Sequence, residues 1–220
     1  MLDYQEYEFN YFQFYLRSSL FKSYCMGIRT SRKKQLELDE NHVQLRSPWL
    51  ATNPYVVWGE KHEVNGIAKW ISINKKMPRY ILEEQQQFVY PEWYEGVNVA
   101  TTPDGLADNC LIEVKCSAMG KKTYEEFPDE HLWQVYGQQM IMNLCGFNVE
   151  KTHLVNWTPK HTKIWEIQRN QEFEEYMTPL LQEYINAYVY KEELVPKPKA
   201  FQGKHKIELI YNNGDKNGKS

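Results

Sequence analysis

The chain has 220 residues, a length that suits one domain with a substantial hydrophobic core. Hydrophobic residues make up 42% of it and the net charge is −3, which excludes an intrinsically disordered chain and a uniformly basic protein. The four cysteines form no C-x-x-C pair, no stretch is apolar enough to span a membrane, and the N-terminus lacks a signal-like apolar run. We therefore expect an intracellular protein without a zinc or iron–sulfur site.

Two helical patterns and an intervening loop occupy the N-terminal third of the chain. Aromatic residues at near-helical spacing predict a helix over residues 4–22, and apolar spacing predicts a second helix over residues 56–71. A basic run at residues 29–34 lies between them, and we consider both a solvated face and a functional segment for it. Pro48 and Pro54 mark the loop that leads into the second helix.

Strand and helix patterns alternate through the rest of the chain. Strands are predicted over residues 87–90, 97–101, 110–116, 152–157 and 163–168. A turn is predicted over residues 102–109, and helices over residues 131–144 and 173–190. We therefore predict an α/β fold in which a central mixed β-sheet is flanked by helices.

A single domain is predicted over residues 1–195, with a helical segment over about residues 1–50 and a core over about residues 56–190. Residues 196–220 are rich in Pro, Lys, Gly and Asn and are predicted to form a basic, flexible tail. Residues 207–211 within this tail carry a pattern that would add one strand. We assign Trp58, Trp133 and Trp157 to the core.

The pattern that carries chemistry is Pro103-Asp104-Gly105 followed by Glu113-Val114-Lys115. Because side chains alternate along a strand, Glu113 and Lys115 lie on the same face, and the preceding turn can bring Asp104 beside Glu113. Two carboxylates at short range repel each other unless a cation lies between them. The alternative is a surface turn with a solvated Asp, followed by a strand with an ordinary Glu–Lys pair.

Carboxylate and carbonyl oxygens favour Mg²⁺, with Mn²⁺ as a substitute. Asp104, Glu113 and the main-chain carbonyl of Val114 are the predicted metal ligands. Such a metal polarises a scissile phosphate and generates hydroxide near neutral pH. Lys115 would orient the attacking water and stabilise the charge of the transition state.

The order of the motifs resembles the lambda exonuclease or YqaJ-type family of viral recombinases, within the PD-(D/E)xK nuclease superfamily. Residues 58–63 (WGEKHE) are similar to the family's G-x-x-x-E helix. Residues 102–106 (TPDGL), 111–116 (LIEVKC) and 131–135 (HLWQV) resemble its S-P-D-G-L, L-E-L-K-C and Gln-Val motifs, and Asn156 opens a related N-aromatic-x-P turn. The likeness runs from about residue 24 to residue 190 and implies a restriction-endonuclease-like core.

Further site residues follow from the resemblance. It implies that Glu63 supplies another carboxylate to the metal, directly or through water. It implies that Gln134 holds the nucleophilic water or Lys115, with Gln138 one helical turn later as a competitor for this role. The DNA and 5′-phosphate contacts that it implies are Arg29, Ser31, Thr102 and Lys121. The family places its arginine a few residues before Thr-Ala-Ser, whereas this chain reads Arg29-Thr-Ser31, so the 5′-end preference stays open.

The resemblance implies a Mg²⁺-dependent 5′→3′ exonuclease on double-stranded DNA that acts in recombination or end processing. It also implies a homotrimeric ring that works beside a single-strand annealing protein. We expect a viral or prophage origin and a place in the bacterial cytoplasm or the host cell. The alternatives are an endonuclease or RNase on the same core and a DNA-binding module that has lost catalysis.

Overall fold

The computed structural model of the chain describes residues 15–27, 32–40, 52–81, 87–117, 123–195 and 198–213. Three of the predicted DNA contacts, Arg29, Ser31 and Lys121, lie outside these residues. Residues 4–14 of the predicted N-terminal helix also lie outside them.

The larger of two β-sheets has six strands in the part of the chain that the structure describes. In spatial order they are β2 (Tyr80–Ile81), β5 (Gly105–Ala107), β6 (Cys110–Cys116), β7 (Lys151–Trp157), β8 (Thr162–Gln168) and β9 (Ile207–Asn212). The smaller sheet has the order β1 (Tyr15–Arg17), β4 (Val97–Thr101) and β3 (Phe88–Tyr94). The pairs β6–β7 and β1–β4 are parallel, and the other pairs are antiparallel.

Helices cover both faces of the larger sheet. The described helices include α1 (Phe21–Met26), α2 (Arg32–Glu40), α3 (Pro54–Asn74), α4 (Leu132–Leu144) and α5 (Gln171–Tyr190). Helix α3 packs on the face that carries Ile112, Val114 and Val155, whereas α4 packs on the face that carries Leu154 and Ile167. Helix α5 packs on α1, α2 and α4. None of the described helices is long and apolar enough to cross a lipid bilayer.

The predicted α/β architecture is confirmed, and most predicted elements are present with small shifts at their ends. Two predictions of local secondary structure are wrong. Residues 15–17 form strand β1, and α1 begins only at Phe21, because this segment pairs with β4 instead of completing a helix. The predicted turn over residues 102–109 contains strand β5, which forms a tight hairpin with β6 through Asp108 and Asn109. Asp108 adopts φ 52°, a conformation that Asp tolerates better than most residues.

The basic run and the predicted tail are in part structural. Arg32, from the basic run, is buried, and its guanidinium donates to the main-chain oxygens of Tyr24, Leu180 and Val195 as well as to Glu183. Arg32 therefore connects α1 to α5 through hydrogen bonds. The next two residues of the run, Lys33 and Lys34, are exposed. The tail was predicted to be flexible from residue 196, but residues 198–213 pack on the domain and end in the predicted strand, β9.

Candidate active site

The β5–β6 hairpin brings Asp104 and Glu113 together. Gly105 of β5 pairs with Ile112 of β6 in this antiparallel hairpin. One residue further from the turn, Asp104 is therefore opposite Glu113. Oδ2 of Asp104 accepts a hydrogen bond from the backbone N–H of Val114 at 2.6 Å. Both carboxylates are buried, with 8% and 3% of the residue exposed, respectively. The juxtaposition predicted from the spacing is therefore present.

Glu113 is held by side chains from two elements. Its Oε1 accepts hydrogen bonds from Nζ of Lys115 at 2.6 Å, on the same strand, and from Nε2 of Gln134 at 2.7 Å, on helix α4. The Lys115 ammonium also donates to Oε1 of Gln134 at 3.2 Å. Gln138, one turn further along α4, donates to Oε2 of Glu113 at 2.6 Å. The structure thus brings both glutamines, which the sequence presented as competitors, onto one carboxylate.

Helix α3 places Glu63 near this cluster by packing very closely on β6. A Cβ atom at Gly66 would lie 2.4 Å from Cγ1 of Val114, so only glycine permits this approach. Glu63 precedes Gly66 by one helical turn and therefore lies on the same side of α3. Burial, together with the charge of Glu113, raises the pKa of Glu63 to about 7 against the opposing effect of Lys115.

The electrostatics of the cluster are those of carboxylates crowded around a single ammonium. Burial and the charge of Glu113 raise the pKa of Asp104 well above its ordinary value, although Lys115 acts against this. Burial acts to lower the pKa of Lys115, but the carboxylates of Glu113 and Asp104 outweigh it and leave this pKa raised. Lys115 is therefore a fixed cation at neutral pH and is not suited to act as a base.

The donor set fits a hard divalent cation. No compact group of three or more His, Cys, Asp or Glu side chains occurs within the described ranges, so a site built from protein side chains alone is not seen there. Mg²⁺ characteristically binds one or two carboxylates and completes its shell with water and substrate phosphate. Asp104 and Glu113 would supply the carboxylates of such a set, and the ligand roles of all four groups, including Glu63 and the Val114 carbonyl, stay predictions.

Asn156 is a site residue whose role the sequence did not predict. It is fully buried on β7, where its Nδ2 donates to the main-chain oxygen of Lys115 at 2.8 Å and to Oγ of Ser117 at 2.9 Å. Its Oδ1 accepts the N–H of Tyr124 at 2.7 Å. Asn156 therefore fixes the backbone around Lys115. The available signal was an amide directly after the apolar pair Leu154-Val155, since buried polar groups require partners.

Two of the three tryptophans assigned to the core lie at its margin. Trp133 is buried, but Trp58 and Trp157 are only half-buried. The rings of Trp58 and His62 stack with centroids 4.2 Å apart, and both are nearly parallel to Trp157, 6.0 Å away. This aromatic group lies at the C-terminal end of β6, because Trp157 of β7 pairs there with Cys116, the last residue of β6.

Thr102, the predicted DNA contact that the structure describes, is exposed and lies two residues before Asp104. The preceding residue, Thr101, instead forms a buried hydroxyl pair with Ser18 at 2.8 Å. Its exposure leaves Thr102 accessible to a ligand beside the carboxylates. Its proposed contact with a phosphate stays a prediction.

The central mixed sheet, the helices on its faces and the α4 crossover between β6 and β7 define a mixed α/β fold, and this fold carries the cluster of Asp104, Glu113 and Lys115. No protein-family model and no curated protein matches the chain. Among solved structures it is similar to an alkaline exonuclease, LHK-Exo, from Laribacter hongkongensis, with a TM-score of 0.60 at 15% identity over 80% of this chain and 88% of that one. A structure of LHK-Exo in complex with dAMP gives a TM-score of 0.61 at 16% identity over the same shares. The fold that the motifs implied is confirmed.

Proposed function

We propose that this protein is a Mg²⁺-dependent deoxyribonuclease that hydrolyses phosphodiester bonds. The observation that carries the proposal is the buried cluster of Asp104 and Glu113 with the Lys115 ammonium. The likeness of the fold to an alkaline exonuclease adds to it. Buried carboxylates that crowd one ammonium and shift each other's pKa are characteristic of functional sites, although structural ion-pair networks also perturb pKa values.

The side chains divide the chemistry between them. Bound Mg²⁺ would polarise the phosphate and supply hydroxide near neutral pH. Lys115 stays protonated beside Glu113 and stabilises the negative charge that develops on the phosphate oxygens. Gln134 contacts both Lys115 and Glu113, so it holds the ammonium in a fixed direction. Burial of Asp104 and Glu113 lowers the local dielectric and strengthens each of these interactions.

We propose DNA as the substrate and 5′→3′ digestion of double-stranded ends as the mode of action. LHK-Exo binds dAMP, a deoxyribonucleotide of the kind that an exonuclease releases. Thr102 lies close to the carboxylates in sequence, and together with Arg29, Ser31 and Lys121 it remains our candidate for phosphate contacts. We further propose a role in recombination or end processing inside a bacterial or virus-infected cell, beside a single-strand annealing protein.

Linear duplexes labelled at either the 5′ or the 3′ end will test the activity and its polarity. We expect early release of 5′-labelled mononucleotides with Mg²⁺ or Mn²⁺, none with a chelator, and DNA binding without turnover in Ca²⁺. Covalently closed plasmid DNA should remain intact. Cleavage of that plasmid would favour an endonuclease, preferential digestion of RNA would favour an RNase, and undiminished activity in chelator would refute metal dependence.

We also propose that the protein acts as a homotrimeric ring. A processive exonuclease must remain on DNA through many steps, and one small domain offers too little surface to enclose a duplex, whereas a ring with cyclic symmetry encloses it topologically. Light scattering at micromolar concentration should report a mass near three chains. A monomer that releases short distributive products would contradict the ring.

A further inference from the structure

The two glutamines of α4 contact different oxygens of the same carboxylate. Gln134 donates to Oε1 of Glu113, and Gln138 donates to Oε2 at 2.6 Å. The terminal torsion of a glutamate side chain has a broad energy minimum, so rotamer preference alone does not set the plane of its carboxylate. Donors on both oxygens do set that plane. Without Gln138, the hydrogen bonds to this carboxylate from the described residues would all reach Oε1, and Oε2 would have no donor to fix its direction.

The acceptor capacity of Glu113 is used unequally on its two oxygens. A carboxylate has about four lone-pair positions, two on each oxygen. Oε1 accepts from both Lys115 and Gln134, which occupies its two positions. Among the described residues, Oε2 accepts from Gln138 alone. The one lone pair of the Glu113 carboxylate that accepts no hydrogen bond from the described residues is therefore on Oε2. The direction of this lone pair is set by the Gln138 amide, which occupies the other position on Oε2.

We propose that Gln138 is a positioning residue that directs Oε2 of Glu113 toward the divalent cation. This inference rests on the proposed metal-dependent nuclease function and adds to it the oxygen that binds the metal and the side chain that orients it. Gln134 and Gln138 then have separate tasks. Gln134 couples Glu113 to the Lys115 ammonium, whereas Gln138 orients the ligand oxygen.

Gln139 provides a matched control within the same helix. Both Gln138 and Gln139 are buried, with 1% and 0% of the residue exposed. In the described part of the chain each has a buried Oε1 that lacks a hydrogen-bond partner. They differ in what their Nε2 contacts, since Gln139 donates to Oγ1 of Thr152 and to the main-chain oxygen of Ile167. A general effect of losing a buried amide from α4 would appear in both variants.

The test compares Gln138→Met with Gln139→Met, because methionine has nearly the same length and shape but no donor. Mn²⁺ affinity is measured on the free protein by electron paramagnetic resonance, and kcat and KM are measured on duplex DNA with Mg²⁺. We expect Gln138→Met to bind Mn²⁺ about 10- to 100-fold more weakly and to lose kcat by a similar factor, with KM nearly unchanged. Gln139→Met should retain both the wild-type Mn²⁺ affinity and the wild-type kcat.

Wild-type Mn²⁺ affinity in a folded Gln138→Met protein would overturn the proposal, as would equal losses in both variants. If Gln138→Met fails to fold, Gln138→Asn keeps a buried amide but withdraws it from Glu113, and the same loss of Mn²⁺ affinity is expected. The Mn²⁺ measurement uses no DNA. A wild-type protein that binds Mn²⁺ but cleaves no nucleic acid would therefore refute the nuclease proposal separately from the role of Gln138.

Discussion

Replacing Asp104 or Glu113 with alanine is expected to abolish cleavage while the protein still binds DNA in Ca²⁺. Both side chains belong to the proposed ligand set, and loss of a catalytic metal removes several kcal/mol of transition-state stabilisation, so we expect a rate loss of at least about 100-fold. Single-turnover digestion of labelled duplex DNA measures this loss directly. Retention of more than about a tenth of the wild-type rate in both variants would contradict the proposed metal site.

Asp104→Asn is the sharper form of this experiment. The amide keeps an oxygen that can accept the Val114 N–H, but it removes the charge. Burial and the charge of Glu113 raise the pKa of Asp104 and so disfavour its ionised form in the metal-free protein; we therefore expect Asp104→Asn not to lower the melting temperature measured without Mg²⁺. The matched control is Asp108→Asn in the same hairpin, because Asp108 is exposed and its partner is the surface residue Lys76. Activity should vanish in the first variant and persist in the second.

Lys115→Gln is expected to be folded and nearly inactive. The amide can still donate to Oε1 of Glu113, but it lacks the positive charge that we propose stabilises the transition state. Loss of one such group from a preorganised site typically lowers kcat by about 100- to 1,000-fold. Rates are measured with saturating DNA and Mg²⁺, and folding is checked by thermal unfolding.

Lys151→Gln is the control for this experiment. Lys151 forms a comparable pair with Glu166 at 2.7 Å, against 2.6 Å for Lys115 and Glu113, and the two lysine side chains are 31% and 26% exposed. It pairs in register with Cys110, five residues before Lys115, and is therefore about 16 Å away along the strand direction. Near-normal rates in Lys115→Gln, or equal losses in both variants, would assign Lys115 a purely structural role.

The relation between Asp104, Glu113 and Lys115 could be predicted because it depends on local geometry. Glu113 and Lys115 share a face through the period of two of a strand, and the hairpin register places Asp104 opposite Glu113. The same locality explains why helix α3 and strands β6, β7 and β8 were predicted close to their observed positions. In each of these segments the periodicity of the residues agrees with the element that they form.

Contacts between segments that are distant in the chain could not be predicted from local sequence patterns. Residues 15–17 have a helical pattern, but they complete the smaller sheet as β1 because β4 offers hydrogen-bond partners. The basic run contains Arg32, which is buried because α1 and α5 surround its guanidinium with acceptors. Neither outcome is encoded in local spacing, since both depend on which distant segment packs alongside.

The sequence by itself therefore determined the α/β class of fold and the cluster of Asp104, Glu113 and Lys115, because short-range periodicity and the short separation of Asp104 from β6 suffice for both. Only the tertiary structure decided the rest of the site. The docking of α4 places both Gln134 and Gln138 on Glu113, and the parallel pairing of β7 with β6 brings Asn156 to the backbone of Lys115. Which side chain a residue contacts on a neighbouring helix or strand depends on how the two elements are aligned and how closely they approach. The spacing of residues along the sequence does not specify either quantity.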